Sequence, residues 1–336
     1  MIVNFANFRN LVTVKPTGAI KLGVHFVVDG HDELASFRGV THFHADHISE
    51  INKSIKQMLG IIANPATLEV LEVLGYKIPD VIKIPINYGQ SVEIEGETIS
   101  AHKAEHVLGS TQFMVQNKLL DIAYTGDFRS PGKGTEILHP DILIIDATYG
   151  NPRFVRPFKD YVEELFSDYV SDALSKGPVQ VFAYHGKIQE AMQILRQSKI
   201  DAPFIAEGKI FKISKIAEKY GYNIGKLFES KDPSVEQIKK DKWYVEFLHF
   251  NRFYERSPDH YAFQLSGWEF DEPVRKIDNR TVRVALSDHA DFEETLEYIS
   301  TSKPRIAIID GSRNGYAKEL SNYISLNLRI RTVIMP

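Results

Sequence analysis

Residues 41–47 read THFHADH, and three imidazoles and a carboxylate lie within six residues of this segment. Burying these groups together as bare side chains is unfavourable, whereas Zn²⁺ and similar cations bind imidazole nitrogens and carboxylate oxygens. His42 and His44 face the same way on an extended segment. Asp46 and His47 turn toward a second position as a predicted helix begins. The segment therefore predicts one metal ion or two neighbouring ones.

Further candidate ligands follow other predicted strands. His106 lies in a loop with a glycine and is a plausible third ligand, while His102 sits on the preceding strand and is an alternative. Asp127 follows a strand beside Gly126, where a carboxylate can bridge two cations. Asp29 also ends a strand, and it either orients a ligand histidine or caps a turn.

Two buried strands near positions 141–145 and 305–309 end in Asp146 and Asp310. His289 stands between a strand and a helix, where catalytic residues of layered α/β proteins are expected. Alternation of strands and helices indicates α/β packing, with strands at 11–14 and 21–28 and helices at 48–59, 65–74 and 187–197.

Composition excludes several classes of site. The 336 residues include no cysteine, so disulfides, thiolate ligands and a cysteine nucleophile are excluded. The net charge of -4 offers a polyanion no general attraction, so nucleic acid would need local basic groups. No apolar run reaches the length of a membrane span, and residues 1–5 do not resemble a signal peptide. We therefore expect a cytoplasmic protein that does not bind membranes.

Candidate phosphate contacts occur mainly after residue 152, where the pattern of predicted helices and strands changes. Lys187 begins a predicted helix, and a second predicted helix has a lysine face beside an apolar face. Each of these features is also typical of a solvated surface. The candidates for contacts with nucleic acid are Lys187, Lys209, Lys212, Lys215, Arg252, Arg256, Ser312 and Arg313, the last two in the loop that continues to Asn314.

Several motifs occur together in a recognisable order: HFHADH at 42–47, HVLGS at 106–110, YTGD at 124–127, DATYG at 146–150 and SDHAD at 287–291. Over nearly its full length the chain resembles the metallo-β-lactamase-fold nucleases of the β-CASP group. It looks most like the exonucleases associated with bacterial and archaeal DNA ligases. Cleavage-and-polyadenylation endonucleases and Artemis-type nucleases are more distant.

This resemblance implies an αββα sandwich formed by residues 1–154 and 273–336, with a β-CASP α/β domain inserted at 155–272. It implies two zinc ions, with Mn²⁺ as a possible substitute. The residues it assigns to them are His42, His44 and His106 for one ion, Asp46 and His47 for the other, and Asp127 as the bridge. Asp46 counts as catalytic as well, and His289, oriented by Asp146, would protonate the leaving oxygen.

Asp310 departs from the pattern of the family. RNA-processing members carry a histidine there that completes the second metal position, and Artemis-type nucleases carry an apolar residue. Because aspartate is a competent oxygen ligand, we predict a second site with altered metal affinity. A weaker site or a single metal ion is the alternative.

The expected activity is hydrolysis of phosphodiester bonds in nucleic acid, and the ligase-associated resemblance favours a single-strand-acting DNA exonuclease. RNA processing by the same group is the first alternative. A thioester or lactone hydrolase and an inactive nucleic-acid-binding subunit are the others. The expected partners are single-stranded DNA or RNA, together with repair or RNA-processing proteins.

Overall fold

The computed structural model describes residues 8, 10–313 and 315–336, so Asn314 and most of the first nine residues lie outside it. The chain divides into two compact units. The first contains the described residues up to Val155 and those from His289 onward, and the second contains Arg156–Asp288. No helix among the described residues combines the length and the apolar character needed to cross a membrane.

The first unit contains two sheets. The six-stranded sheet has the order β1 to β6, formed by Val12–Val14, Ile20–Leu22, Phe26–Val28, Phe37–Val40, Gly60–Ala63 and Lys83–Pro85. The seven-stranded sheet contains β7 Ser91–Ile94, β8 Glu97–Lys103, β9 Thr111–Gln116, β10 Asp121–Tyr124, β11 Ile142–Ile145, β19 Ile306–Asp310 and β20 Arg331–Met335. Its order is β20-β19-β11-β10-β9-β8-β7, and the four strands β10, β11, β19 and β20 are parallel to one another.

Alternation along the strands sends side chains to two apolar layers. On β11, Ile142 and Ile144 face the core between the two sheets, and Leu143 and Ile145 face the opposite side. That opposite side is covered by helices α7, Phe292–Ser302, and α8, Ala317–Tyr323. Helix α1, Ile51–Gln57, contacts β5 of the first sheet, and helix α2, Pro65–Leu74, follows β5 in the chain. These layers confirm the predicted αββα sandwich.

The second unit is an α/β layer around one seven-stranded sheet. Its strands are β12 Val179–Ala183, β13 Phe204–Ala206, β14 Leu227–Glu229, β15 Val245–His249, β16 Tyr261–Leu265, β17 Val274–Lys276 and β18 Thr281–Val284. The strand order is β14-β13-β15-β12-β16-β18-β17, parallel except for the β17–β18 pair. Its helices are α3 Val162–Leu174, α4 Lys187–Gln197, α5 Gly208–Lys219 and α6 Val235–Asp241.

The second boundary of this unit differs from the predicted position at 272. Strand β18 pairs in parallel with β16, and β17 pairs with β18, so both strands belong to the sheet of the second unit. The unit therefore continues to Asp288. The residue pattern does not show this boundary, because a short strand has the same pattern in either sheet.

Candidate active site

The candidate ligands lie where strands of the first unit end. Asp29 follows β3, His42 follows β4, His106 follows β8 and Asp127 follows β10. Within each sheet these strands point the same way, so their carboxyl ends meet at one edge. Sheet direction thus gathers residues that are far apart in the sequence.

Asp29 holds the histidine segment in place. Its Oδ1 accepts from the Thr41 N–H at 2.8 Å, and its Oδ2 accepts from the Thr41 hydroxyl at 2.7 Å. The same Oδ2 lies 2.7 Å from Nδ1 of His47, and both residues are buried. In a neutral imidazole, a carboxylate that accepts the Nδ1–H leaves Nε2 as the nitrogen with the lone pair. Of the two roles considered for Asp29, the structure favours orientation of a ligand histidine.

Four donors converge in the first unit: ligand atoms of His42, His44, His106 and Asp127 all lie within 4.8 Å of one another. Nε2 of His42 and Nε2 of His106 are each 3.6 Å from Oδ2 of Asp127. Gly126 allows this approach, because it has φ +58° and a Cβ there would lie 3.0 Å from Thr41. The predicted alternative, His102, instead pairs with Glu136.

The chemistry of these donors fits a divalent ion such as zinc. Nε2 of His42 is buried without a hydrogen-bond partner among the described residues, which is costly unless a cation uses the lone pair. Burial lowers the pKa of His42 well below its usual value, so the imidazole is in its neutral, ligating form. Burial alone would raise the pKa of Asp127, but the neighbouring His47 and His289 outweigh it and hold the carboxylate ionised.

The second predicted metal position is less complete. His47 Nε2 lies 3.4 Å from Asp46 Oδ2 and 3.3 Å from Asp127 Oδ2. Asp310, however, is bound by its own loop, with Oδ1 accepting from Ser312 and Oδ2 paired with Arg313. Within the described part of the chain, neither Asp46, His47 nor Asp310 joins a group of three convergent ligands. The structure therefore does not bring Asp310 into a ligand set.

His289 lies beside the donor cluster. Its Nδ1 is 3.6 Å from Oδ2 of Asp146, and its Nε2 is 3.8 Å from Oδ2 of Asp127. Asp146 is itself positioned by Thr148, whose N–H and hydroxyl donate to Oδ1. His289 precedes helix α7, which begins with a reciprocal capping pair formed by Asp291 and Glu294. The residues are placed as an acid and its orienting carboxylate would be.

These groups open onto a cleft of about 550 Å³ in the first unit. Its lining is largely polar and includes His44, Asp46, Asp127, His289 and Arg313. Ser312 lines it as well, so both residues predicted to contact a phosphate from this loop reach the cleft.

The basic candidates of the second unit differ in availability. Lys187 is buried, and its Nζ donates to the Leu286 carbonyl and to Asp288 Oδ1, each at 2.8 Å. It is therefore not available to a phosphate as predicted, because its charge is already paired. The lysine face of α5 is exposed at all three predicted positions.

Each predicted arginine of this unit is paired with a carboxylate. Arg252 contacts Glu207 and Glu255, and Arg256 Nη2 lies 3.6 Å from Asp278 Oδ2. Both arginines are half-buried, and a phosphate would have to compete with these carboxylates.

The sequence analysis did not identify Arg38, whose side chain binds the backbone of the histidine segment. This arginine is fully buried on β4, and its guanidinium donates to the carbonyls of Ser49 and His47 and to the Ser54 hydroxyl. Burial lowers the pKa of Arg38 to about 10. The available signal was a charged residue inside a short apolar strand.

The sequence matches no protein-family model. The "uncharacterized protein in lig 3'region" of Acidianus ambivalens is 56% identical over 137 residues, 40% of this chain and 98% of that protein. A probable DNA ligase of Opitutus terrae is 24% identical over 84% of this chain and 27% of its own length. RNase aCSPSF2 of Saccharolobus solfataricus is 29% identical over 53% of this chain and 41% of its own length. This chain thus spans well under half of the two longer relatives.

A solved structure supports the same fold. A protein of unknown function from Enterococcus faecalis superposes with a TM-score of 0.64 at 15% identity, covering 91% of this chain and 81% of that one. The relatives, the sandwich and the motif order agree. The chain belongs to the β-CASP group of metallo-β-lactamase-fold proteins.

Proposed function

We propose that the protein is a metal-dependent nuclease that hydrolyses phosphodiester bonds, and that it acts on single-stranded DNA as an exonuclease. The observation that carries the proposal is the placement of four convergent donors beside the His289–Asp146 pair in one open polar cleft. Phosphodiester hydrolysis needs charge neutralisation, which an ion held by the four donors would supply, and a proton for the leaving oxygen, which His289 would supply.

His42, His44, His106 and Asp127 would hold the ion. A divalent ion bound there lowers the pKa of a water and neutralises charge on the phosphoryl oxygens. Asp29 keeps Nε2 of His47 aimed at Asp46 and Asp127. Zinc is the proposed metal because of the imidazole-rich ligand set, with Mn²⁺ as a substitute.

His289 would pass a proton from Nε2 to the departing sugar oxygen. Asp146 faces the opposite nitrogen of the ring, where a carboxylate stabilises the imidazolium and fixes its orientation. Such a proton donor typically contributes about 10²- to 10⁴-fold in rate.

The choice of DNA rests on the coverage of the matches. Two relatives named as DNA ligases, from Opitutus terrae and Arabidopsis thaliana, each match over 84% of this chain. A second candidate is RNA cleavage, because relatives named as RNases or as cleavage and polyadenylation factors match at 29–32% identity over 40–53% of the chain.

The test is cleavage of matched single-stranded DNA and RNA, each labelled at the 5′ or the 3′ end, with Zn²⁺ or Mn²⁺. His289→Ala and His106→Gln are expected to lose the products, whereas His102→Gln keeps them and controls for a histidine change on the adjoining strand. A ladder from one end of the DNA supports an exonuclease, and a preference for RNA selects the second candidate. Absence of cleavage of both polymers by metal-loaded wild-type protein would overturn the nuclease proposal.

A further inference from the structure

The carboxylate expected to complete the second metal position is held by an arginine. Nη1 of Arg313 lies 2.5 Å from Oδ2 of Asp310, and Nη2 of Arg313 donates to the Gly18 carbonyl at 3.2 Å. The other oxygen of Asp310 accepts from the N–H and the hydroxyl of Ser312. Both oxygens of Asp310 therefore have donors before any ion is considered.

The same guanidinium also approaches Asp46. Nε of Arg313 lies 3.8 Å from Oδ2 of Asp46, and that oxygen lies 3.4 Å from Nε2 of His47. The Arg313 side chain is only 11% exposed, yet it lines the cleft. Since a guanidinium stays protonated in proteins, a permanent positive charge occupies the surroundings of these carboxylates.

A second divalent ion would meet this charge at close range. Coulomb repulsion between like charges is strong in a partly buried site, where water screens it poorly. The four convergent donors of the first position, by contrast, include neither Asp46 nor Asp310. The first position is thus complete without the groups that Arg313 engages.

We propose that the protein binds one divalent ion and that Arg313 takes the place of the second, neutralising Asp46 and Asp310 and donating to a phosphoryl oxygen of the bound strand. This inference rests on the proposed nuclease function. An arginine has five N–H donors in a planar fork that matches phosphate oxygens, and Asp310 and Gly18 each use one. Arg313 is then a phosphate-binding residue as well as an internal counter-ion.

The number of bound ions is the first test. Metal-free protein is loaded with excess Zn²⁺, cleared of unbound ion and analysed by native mass spectrometry and elemental analysis. Wild type and Arg313→Lys are expected to hold one ion per chain, and Arg313→Gln, which removes the charge and releases Asp310, to hold two. Two ions in wild type, or one in a folded Arg313→Gln, would overturn the proposal.

A Co²⁺ titration of wild type, followed by absorption, gives a count that needs no variant. It is expected to end at one equivalent, and a second tight equivalent contradicts the inference even if Arg313→Gln fails to fold.

Binding of a labelled single-stranded oligonucleotide tests the phosphate contact. It is measured in the His289→Ala background, so that slow cleavage does not interfere. Arg313→Gln is expected to weaken binding about tenfold or more, and Arg313→Lys less, because lysine keeps the charge but loses the fork. Unchanged affinity in Arg313→Gln would remove the phosphate role. If wild type cuts neither polymer, the nuclease proposal fails while the ion count still decides the role of Arg313.

Discussion

Ionic partners decide which of the charged candidate residues are available to a ligand. The spacing of HFHADH at 42–47 marks a candidate metal site, and its His42 and His44 lie in the convergent donor set. Asp310 and Lys187 carried no such mark. Their ionic partners, Arg313 and Asp288, are ordinary surface residue types whose burial appears only when the loops are folded.

Asp29 offers a test of orientation at a single side chain. Asp29→Asn keeps the size of the side chain but cannot accept the Nδ1–H of His47 and the two Thr41 donors as a carboxylate does. We expect metal affinity to fall about 10- to 100-fold, measured by competition with a chelator, because the Thr41 hydroxyl that Asp29 holds also lies 3.0 Å from Nδ1 of His42. Asp32→Asn is the control, because Asp32 is also a buried carboxylate but pairs with Lys15. Equal losses in both variants would contradict this role.

His260 makes stability depend on pH. Burial lowers its pKa, and its Nε2 lies 2.7 Å from the Tyr244 hydroxyl. Because the unfolded chain keeps the ordinary value of 6.5, it binds the proton first as pH falls. Stability from neutral His260 is therefore present above that value and declines below it. The melting temperature should fall less between about pH 7.5 and about pH 5.5 in His260→Gln than in wild type or in the control His25→Gln.

Helices with local start and stop signals could be placed from the sequence, and interruptions caused by distant contacts could not. Helix α2 begins at Pro65 after Asn64, whose side chain accepts from the Ala66 N–H, and it ends before Gly75. The predicted strand at 21–28 is two strands, β2 and β3, separated at Gly23. The predicted helix at 48–59 is limited to Ile51–Gln57.

Gly23 explains that break and predicts its cost. Its φ is +76°, and a Cβ there would lie 2.2 Å from Oε1 of Glu97, the carboxylate that accepts from the N–H groups of Val24 and His25. Gly23→Ala is expected to lower the free energy of unfolding by about 1–3 kcal/mol, measured by urea denaturation. Gly96→Ala is the control, because Gly96 has φ +86° with nothing within 4 Å of its would-be Cβ. A larger loss for Gly96→Ala would show that Glu97 is not the cause.

At the scale of the whole molecule, the sequence predicts an inserted domain at 155–272, and the second compact unit extends from Arg156 to Asp288. Four of the five motifs lie in the first unit, whose described residues occur on both sides of Arg156–Asp288, and SDHAD at 287–291 crosses the chain boundary between Asp288 and His289. Pairing between β16 and β18 places the C-terminal boundary of the second unit at Asp288, and this pairing cannot be read from the amino-acid composition.

Metal binding should stabilise the folded first unit. Because the four donors come from segments that meet only after folding, an ion binds the native state and raises its stability by about 2.7 kcal/mol at an ion concentration of 100 Kd. Differential scanning calorimetry with and without Zn²⁺ measures the shift. Asp127→Asn should lose most of it, and Asp121→Asn, on the preceding strand, should keep it. An undiminished shift in Asp127→Asn would exclude Asp127 as a ligand.

The exposed lysines of α5 predict a change in the salt dependence of binding. Reversing Lys209, Lys212 and Lys215 to glutamate should weaken single-strand binding and lower the salt slope by roughly 0.7 for each lysine that contacts a phosphate. The matched control reverses Lys239, Lys240 and Lys242, which are exposed at the end of another helix of the same unit. Equal effects of the two triple variants would exclude a specific α5 contact.

The order of the sheet strands has a consequence during protein synthesis. His42, His44, His106 and Asp127 all precede the second unit, whereas His289 and strand β19, the parallel neighbour of β11, follow it. A growing polypeptide that has left the ribosome as far as Asp288 therefore contains every proposed ligand but no proton donor. In the seven-stranded sheet of the first unit, β11 still lacks its neighbour β19. The proposed nuclease would therefore emerge without its proton donor until translation of the last segment adds His289 and strand β19.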